Sequence, residues 1–176
     1  MKNILTLSFY LFTFFSCQEK QKQVQTTDSQ SITKQIPTWQ AQNSNTDASL
    51  RGLSAVSEKV AWASGSKGMV THTVDAGQTW QADSIVGYSD FQFRDIEAFD
   101  ASTAIILSAG SPAKIFKTTD GGGTWNEKYT NEHEGIFFDA MAFWDEQNGI
   151  AFSDPIDGKL FIIRTEDGGE TWEQIP

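Results

Sequence analysis

A chain of 176 residues has room for one ordinary domain, and its 39% hydrophobic and 20% charged residues describe a globular protein rather than a disordered one. The formal net charge of −10 argues against a nucleic-acid partner, because phosphate binding needs clustered Lys and Arg, and nothing beyond Lys20–Lys22 forms such a cluster. The one cysteine excludes an intramolecular disulfide, while thirteen Phe and six Trp supply large side chains for a sizeable core.

The first elements lie at the N-terminus. Lys2 precedes an apolar run from Ile4 to Phe15, broken only by Thr and Ser. It falls short of the ~20 apolar residues a spanning helix needs and fits a secretory signal peptide. Cys17 closes the run in FTFFSC, which resembles a bacterial lipobox: small Ser16 precedes the cysteine, though Phe14 stands where Leu is usual. One reading makes Cys17 the lipid-modified first residue of an exported, envelope-anchored protein, touching the membrane only through that anchor. The other is a plain cleaved signal with a bystander cysteine. Residues 18–48 are rich in Gln, Lys, Ser and Thr, the composition of a polar tether. Within it Pro37-Thr38-Trp39-Gln40-Ala41 shares the letters TWQA with residues 79–82, so 37–41 is expected to be a ring-closing strand.

From residue 49 the chain repeats itself. T-x-D-x-G-x-T-W occurs as TVDAGQTW at 73–80, TTDGGGTW at 118–125 and TEDGGETW at 165–172. The aspartates Asp75, Asp120 and Asp167 lie 45 and 47 residues apart, so one supersecondary unit recurs, in segments 49–90, 91–134 and 135–176. Each segment has short Val-, Ile- and Phe-rich runs separated by Gly, Asp, Asn and Pro, which read as strands joined by tight turns. The expected fold is all-β: β-propeller blades of four antiparallel strands, about three of them, an incomplete ring. Propellers typically close with about four to eight blades, so the sequence reads as part of a longer propeller.

The aspartate motif has the chemistry of a turn. The carboxylate can accept from N–H groups of its own turn, and Gly77, Gly122 and Gly169 permit positive φ. Trp80, Trp125 and Trp172 place a large ring at the start of the outer strand. The motif resembles that of the Asp-box (BNR) propellers, a group that includes sialidases and other glycoside hydrolases. Its D-G-G-x-T-W form is similar to the photosystem II assembly and stability factor branch. The resemblance covers residues 49–176 and implies that Asp75, Asp120 and Asp167 are structural and peripheral. It also implies a non-enzymatic scaffold that binds protein, with a glycoside hydrolase or glycan-binding propeller as the alternative.

No catalytic set emerges from the residues. A sialidase site needs three arginines on a carboxylate, a Tyr–Glu nucleophile pair and an acid/base aspartate. Arg51 and Arg94 share a place in the first two repeats, but Phe138 is read at that place in the third, and Tyr88 and Tyr129 follow the fourth strands. Arg164 belongs to another column, with His72 and Lys117, expected on a solvated third strand. Arg51, Arg94 and Glu97 remain the candidate partner- or ligand-binding residues, because first strands line a propeller's channel; ion pairing of the arginines with Asp95, Glu97 or Asp100 is the alternative. His72 and His133 lie in different repeats without Cys partners, so no metal is expected. Asp154–Gly158 reads as a turn between two strands. Gly121–Gly123 opens no helix, so no nucleotide cofactor is expected either.

Overall fold

The computed structural model describes residue 36 and residues 38–176. Cys17 and the apolar run before it lie outside the described residues. The chain divides into two units, Met1–Trp39 and Gln40–Pro176. In the first, Ile36 and Trp39 are exposed. The second carries all the strands, and no helix occurs among the described residues.

Twelve strands form three sheets. The first holds β1 (Leu50–Ala55), β2 (Ala61–Gly65), β3 (Met69–Thr73) and β4 (Gln81–Ser84). The second holds β5 (Gln92–Ala98), β6 (Ala104–Ala109), β7 (Ala113–Thr118) and β8 (Asn126–Asn131). The third holds β9 (Phe138–Phe143), β10 (Gly149–Ile156), β11 (Lys159–Thr165) and β12 (Glu173–Gln174). Each sheet is an antiparallel meander in chain order. This is the blade of a β-propeller, and three blades stand side by side without closing a ring.

Burial shows how the blades stack. In the middle sheet β6 is buried along nearly its whole length, Ile105, Ile106 and Leu107 included. A strand covered on both faces has no solvent side, so its sequence is a continuous apolar run. Ile106 and Phe116, with Phe93 and Ile96 of the same blade, face the first blade, where Trp62 and Val70 complete one seam. Ile105, Leu107 and Ile115 face the third blade, against Phe138, Met141, Ala151, Phe161 and Ile163. In β10 burial alternates instead: Ala151 and Ser153 are buried while Phe152 is 39% exposed. One covered face gives the period of two.

Glycine is required at two places, one for space and one for backbone conformation. A Cβ at Gly52 of β1 would stand 2.8 Å from the backbone Cα of Asp95 in β5, so the inner strands of neighbouring blades converge there. In the turn after β10, Asp157 (φ 52°) and Gly158 (φ 74°) pair Ile156 with Lys159 in a two-residue hairpin. Asp154–Gly158 is therefore strand end and turn.

Of the ring-closing strand expected at 37–41, Pro37 lies outside the described residues, and Thr38, Trp39, Gln40 and Ala41 form no strand in this arc of three blades. The segment just after them binds the first blade through side chains. Trp80 Nε1 donates to Gln42 Oε1 (3.0 Å), Asn45 Nδ2 donates to the Trp80 carbonyl (2.7 Å), and the Ser66 hydroxyl accepts from Ser49 N (2.8 Å). A segment rich in Gln, Asn and Ser has few apolar side chains to alternate and satisfies its polar groups one by one instead.

Candidate functional site

The inner strands β1, β5 and β9 pack against one another and so form the edge on which the blades converge. Each carries a β-bulge at the same register step. Leu50 pairs with Gly65 and Gly52 with Ser64, leaving Arg51 unpaired. Phe93 pairs with Ser108 and Asp95 with Leu107, leaving Arg94 unpaired. Phe138 pairs with Ser153 and Ala140 with Phe152, leaving Asp139 unpaired. A bulge frees one residue from the ladder and re-aims its side chain. The column read from sequence as Arg51, Arg94 and Phe138 is therefore Arg51, Arg94 and Asp139. Phe138 is wholly buried and corresponds to Phe93, also wholly buried. Aligning those two core residues is the sequence signal that finds Asp139.

These side chains link neighbouring blades. Arg51 Nη1 donates to Gln92 Oε1 at 3.1 Å, and Arg94 Nη2 reaches Asp139 Oδ1 at 3.4 Å. The Arg94 guanidinium carbon also lies 5.4 Å from the centre of the Phe137 ring, within cation–π range. The partners weighed from sequence for the arginines were Asp95, Glu97 and Asp100; the structure uses Gln92 and Asp139 instead. Asp100 caps its own hairpin, accepting from Ser102 N and Thr103 N at 2.6 Å each. Its pKa is lowered, first by the Ser102 backbone bond.

Asp95 is a clip between blades. Its Oδ2 accepts from Met141 N (2.9 Å) and its Oδ1 from Ile96 N (2.9 Å), yet burial outweighs these bonds and raises its pKa. Ser54 Oγ accepts from Ala98 N (3.1 Å) at the other seam. Glu97 does not join the two arginines. It lines a shallow hollow of about 350 Å³, with Ser54, Phe99, Phe143, Trp144 and Asp145, at the far ends of the inner strands. Burial first, and the Asp95 charge second, raise its pKa.

The three aspartate turns repeat one set of bonds. Thr73 Oγ1 donates to Asp75 Oδ1 (2.8 Å) and accepts from Gly77 N (2.9 Å). Asp75 in turn accepts from Thr79 N (2.9 Å) and Thr79 Oγ1 (2.6 Å). Asp120 and Asp167 accept from Thr124 and Thr171 in the same way, and Gly122 N and Gly169 N donate to Thr118 and Thr165. A carboxylate with this many donors stays charged. The hydroxyl of Thr79 leads in lowering the pKa of Asp75, the backbone N–H of Thr124 that of Asp120, and the hydroxyl of Thr171 that of Asp167, which falls to about 2. All three turns lie at the hairpin before the outermost strand, away from the inner edge. Two motif tryptophans lie at the seams: Trp125 meets Trp62 of the first blade edge-on at 6.3 Å, and Trp172 meets Phe143 of its own blade edge-on at 5.9 Å while packing on the cluster that holds Ile105.

The column His72, Lys117 and Arg164 is not uniformly solvated. His72 stacks on Trp62 (4.3 Å between ring centres, 18° between planes), and burial lowers its pKa. Lys117 pairs with Glu170 at 2.7 Å with only 12% of its side chain exposed. Arg164 stays at the surface between Glu166 and Glu173. Tyr129 lies within β8 rather than after it, paired with Ile115, and the Tyr88 hydroxyl reaches Glu127 at 3.3 Å. His133 Nδ1 accepts from Gly135 N (3.1 Å) in its own loop, and no group of three or more potential metal ligands occurs among the described residues.

The geometry defines an arc of β-propeller blades, and solved structures share that fold. The structure of YCF48 bound to D1 peptide superposes with a TM-score of 0.59 at 23% identity over 73% of this chain. YCF48 from Cyanidioschyzon merolae superposes at 0.52 with 22% identity, again over 73% of this chain. The chain spans 40% of the length of each. The GH74 enzyme of Niastella koreensis gives 0.49 at 17% identity, over 66% of this chain and 20% of its own. No protein-family model and no curated relative matches the chain.

Proposed function

We propose that this chain is part of a protein-binding propeller of the assembly-factor kind, built on Asp-box turns, whose inner edge grips an extended segment of a partner protein. The observation that carries the reading is the ladder of bulges. It brings Arg51, Arg94 and Asp139, from three separate blades, onto one edge with Gln92 and Phe137 between them. Guanidinium groups, an amide and an aromatic ring spaced along an edge suit the carbonyls, carboxylates and side chains of an extended peptide. That YCF48 has been solved with a D1 peptide supports a peptide as the occupant. Replacing Arg51 and Arg94 together by Ala leaves the core untouched but removes two partly exposed links between blades, so the variant should melt only slightly below wild type and lose captured partners in a crosslinking comparison. An unchanged partner profile would sink this reading.

The same proposal extends to location. The lipobox-like FTFFSC supports export and anchoring through a lipid on Cys17. Metabolic labelling with an alkyne fatty acid should mark the wild type and not Cys17→Ala; equal labelling of both would refute the anchor.

A further inference from the structure

The two seams between blades differ at the outer rim. At the second seam Glu170, in the aspartate turn of the third blade, reaches back to the second blade. Its carboxylate sits between Lys117 Nζ (2.7 Å) and Lys128 Nζ (2.6 Å). The two lysine side chains are largely shielded, at 12% and 22% exposure.

The first seam has the same three positions with other residues. His72 precedes its motif threonine as Lys117 does. Asp83 stands three places after its motif tryptophan as Lys128 does, and Gly123 holds the place of Glu170. The bridging carboxylate is absent and its receiving charge is reversed. A cleft of about 540 Å³ remains, walled by His72, Asp83, Tyr88 and Trp125 and floored by Trp62 and the backbone of Gly121–Gly123.

We propose that this cleft is a receptor for the guanidinium group of an arginine carried by a partner chain. Asp83 is the sole carboxylate among its lining residues, so the site favours a cation. The walls are aromatic: Trp62 stacks on His72 and meets Trp125 edge-on. A planar guanidinium can pair with a carboxylate through two N–H groups while its flat face lies against a ring, which a compact, strongly hydrated ammonium does less well. The volume falls within the range of about 300–1,000 Å³ typical of ligand sites. This site lies at the outer rim and is independent of the inner-edge reading, so either can fail alone.

The test uses the full 176-residue chain and the blocked tripeptides acetyl-Gly-Arg-Gly-amide, acetyl-Gly-Lys-Gly-amide and acetyl-Gly-Glu-Gly-amide, titrated while the indole N–H resonances of Trp62 and Trp125 are followed by NMR. The arginine peptide should shift both saturably and bind more tightly than the lysine peptide, and the glutamate peptide should shift neither. Asp83→Asn, an exposed change, should weaken arginine binding about tenfold, the effect of losing a charge-assisted hydrogen bond. His72→Lys with Asp83→Lys and Gly123→Glu, which rebuilds the Lys–Glu–Lys bridge, should abolish it. Absence of saturable shifts with the arginine peptide, equal binding of the lysine or glutamate peptide, or unchanged affinity in Asp83→Asn would each overturn the assignment. Asp83→Asn carries the test alone should the triple variant fail to fold.

Discussion

Leu107 and Phe152 occupy the same place in consecutive blades. Leu107 pairs with Asp95 on one side and Ile115 on the other; Phe152 pairs with Ala140 and Ile162. Leu107 is wholly buried in the second seam, whereas Phe152 is 39% exposed on the open face of the third blade. Leu107→Ala removes buried methyl groups and leaves a cavity walled by Ile115, Phe138 and Met141, so it should cost about 3–4 kcal/mol. Phe152→Ala removes a larger side chain but opens no cavity, because water already reaches one side. Only the transfer cost of the partly covered ring remains, about 1–1.5 kcal/mol at ~25 cal/mol per Å². In urea, with a slope of roughly 2 kcal/mol per molar, the midpoint should fall by about 1.5–2 M for Leu107→Ala and about 0.5–0.75 M for Phe152→Ala. Both should keep the wild-type slope, which shows that the unfolding transition has not changed in kind. If Phe152→Ala cost as much as Leu107→Ala in the 176-residue chain, the account of burial by blade stacking would be refuted.

Other expected outcomes rest on single groups. The folded pKa of Asp167 is about 2 against an ordinary 3.8, so its stabilisation is present above pH 3.8 and is lost as pH falls toward 2. Asp75 and Asp120 act in the same direction, while Asp95 and Glu97, with raised pKa values, are relieved by acidification. Thermal melts should therefore show Asp167→Asn less stable than wild type at pH 6, with the gap narrowing between pH 4 and pH 2; a gap independent of pH would contradict the assignment. Ala76 holds a positive φ of 63° where the other two turns have Gly121 and Gly168. Ala76→Gly should stabilise by up to about 1 kcal/mol, relief of left-handed strain less the entropy of the glycine. Gly168→Ala should destabilise, its Cβ meeting the Glu146 carbonyl at 2.9 Å; calorimetry showing the same sign for both would count against the turn geometry. Asp95→Ala strips the acceptor from the buried Met141 N–H and should cost about 1–3 kcal/mol, read from denaturant midpoints. A neutral result there would mean that the seam is not held by this bond.

Much of the fold is legible along the chain. The repeat spacing counts three blades, and the apolar runs separated by Gly, Asp and Asn divide each blade into four strands. The aspartate turns are local, with every bond of the set between residues at most four apart. Local geometry of that kind can be read from a motif. The candidate site is harder to read. Arg51 and Arg94 are visible as a column, but Asp139 is hidden because two adjacent phenylalanines, Phe137 and Phe138, offer two frames, and only burial shows that Phe138 is the counterpart of Phe93.

By itself the sequence determines the blade: a four-stranded meander with a carboxylate-capped turn, set by contacts near in the chain. The tertiary structure alone decides which faces are buried, which charges meet and where a cleft stays open. Arg94 meets Asp139 across 45 residues, and Glu170 reaches Lys117 across 53. Such pairs depend on how one blade leans on the next. That lean comes from side chains interlocking at the seams, and no residue's neighbours in sequence record it.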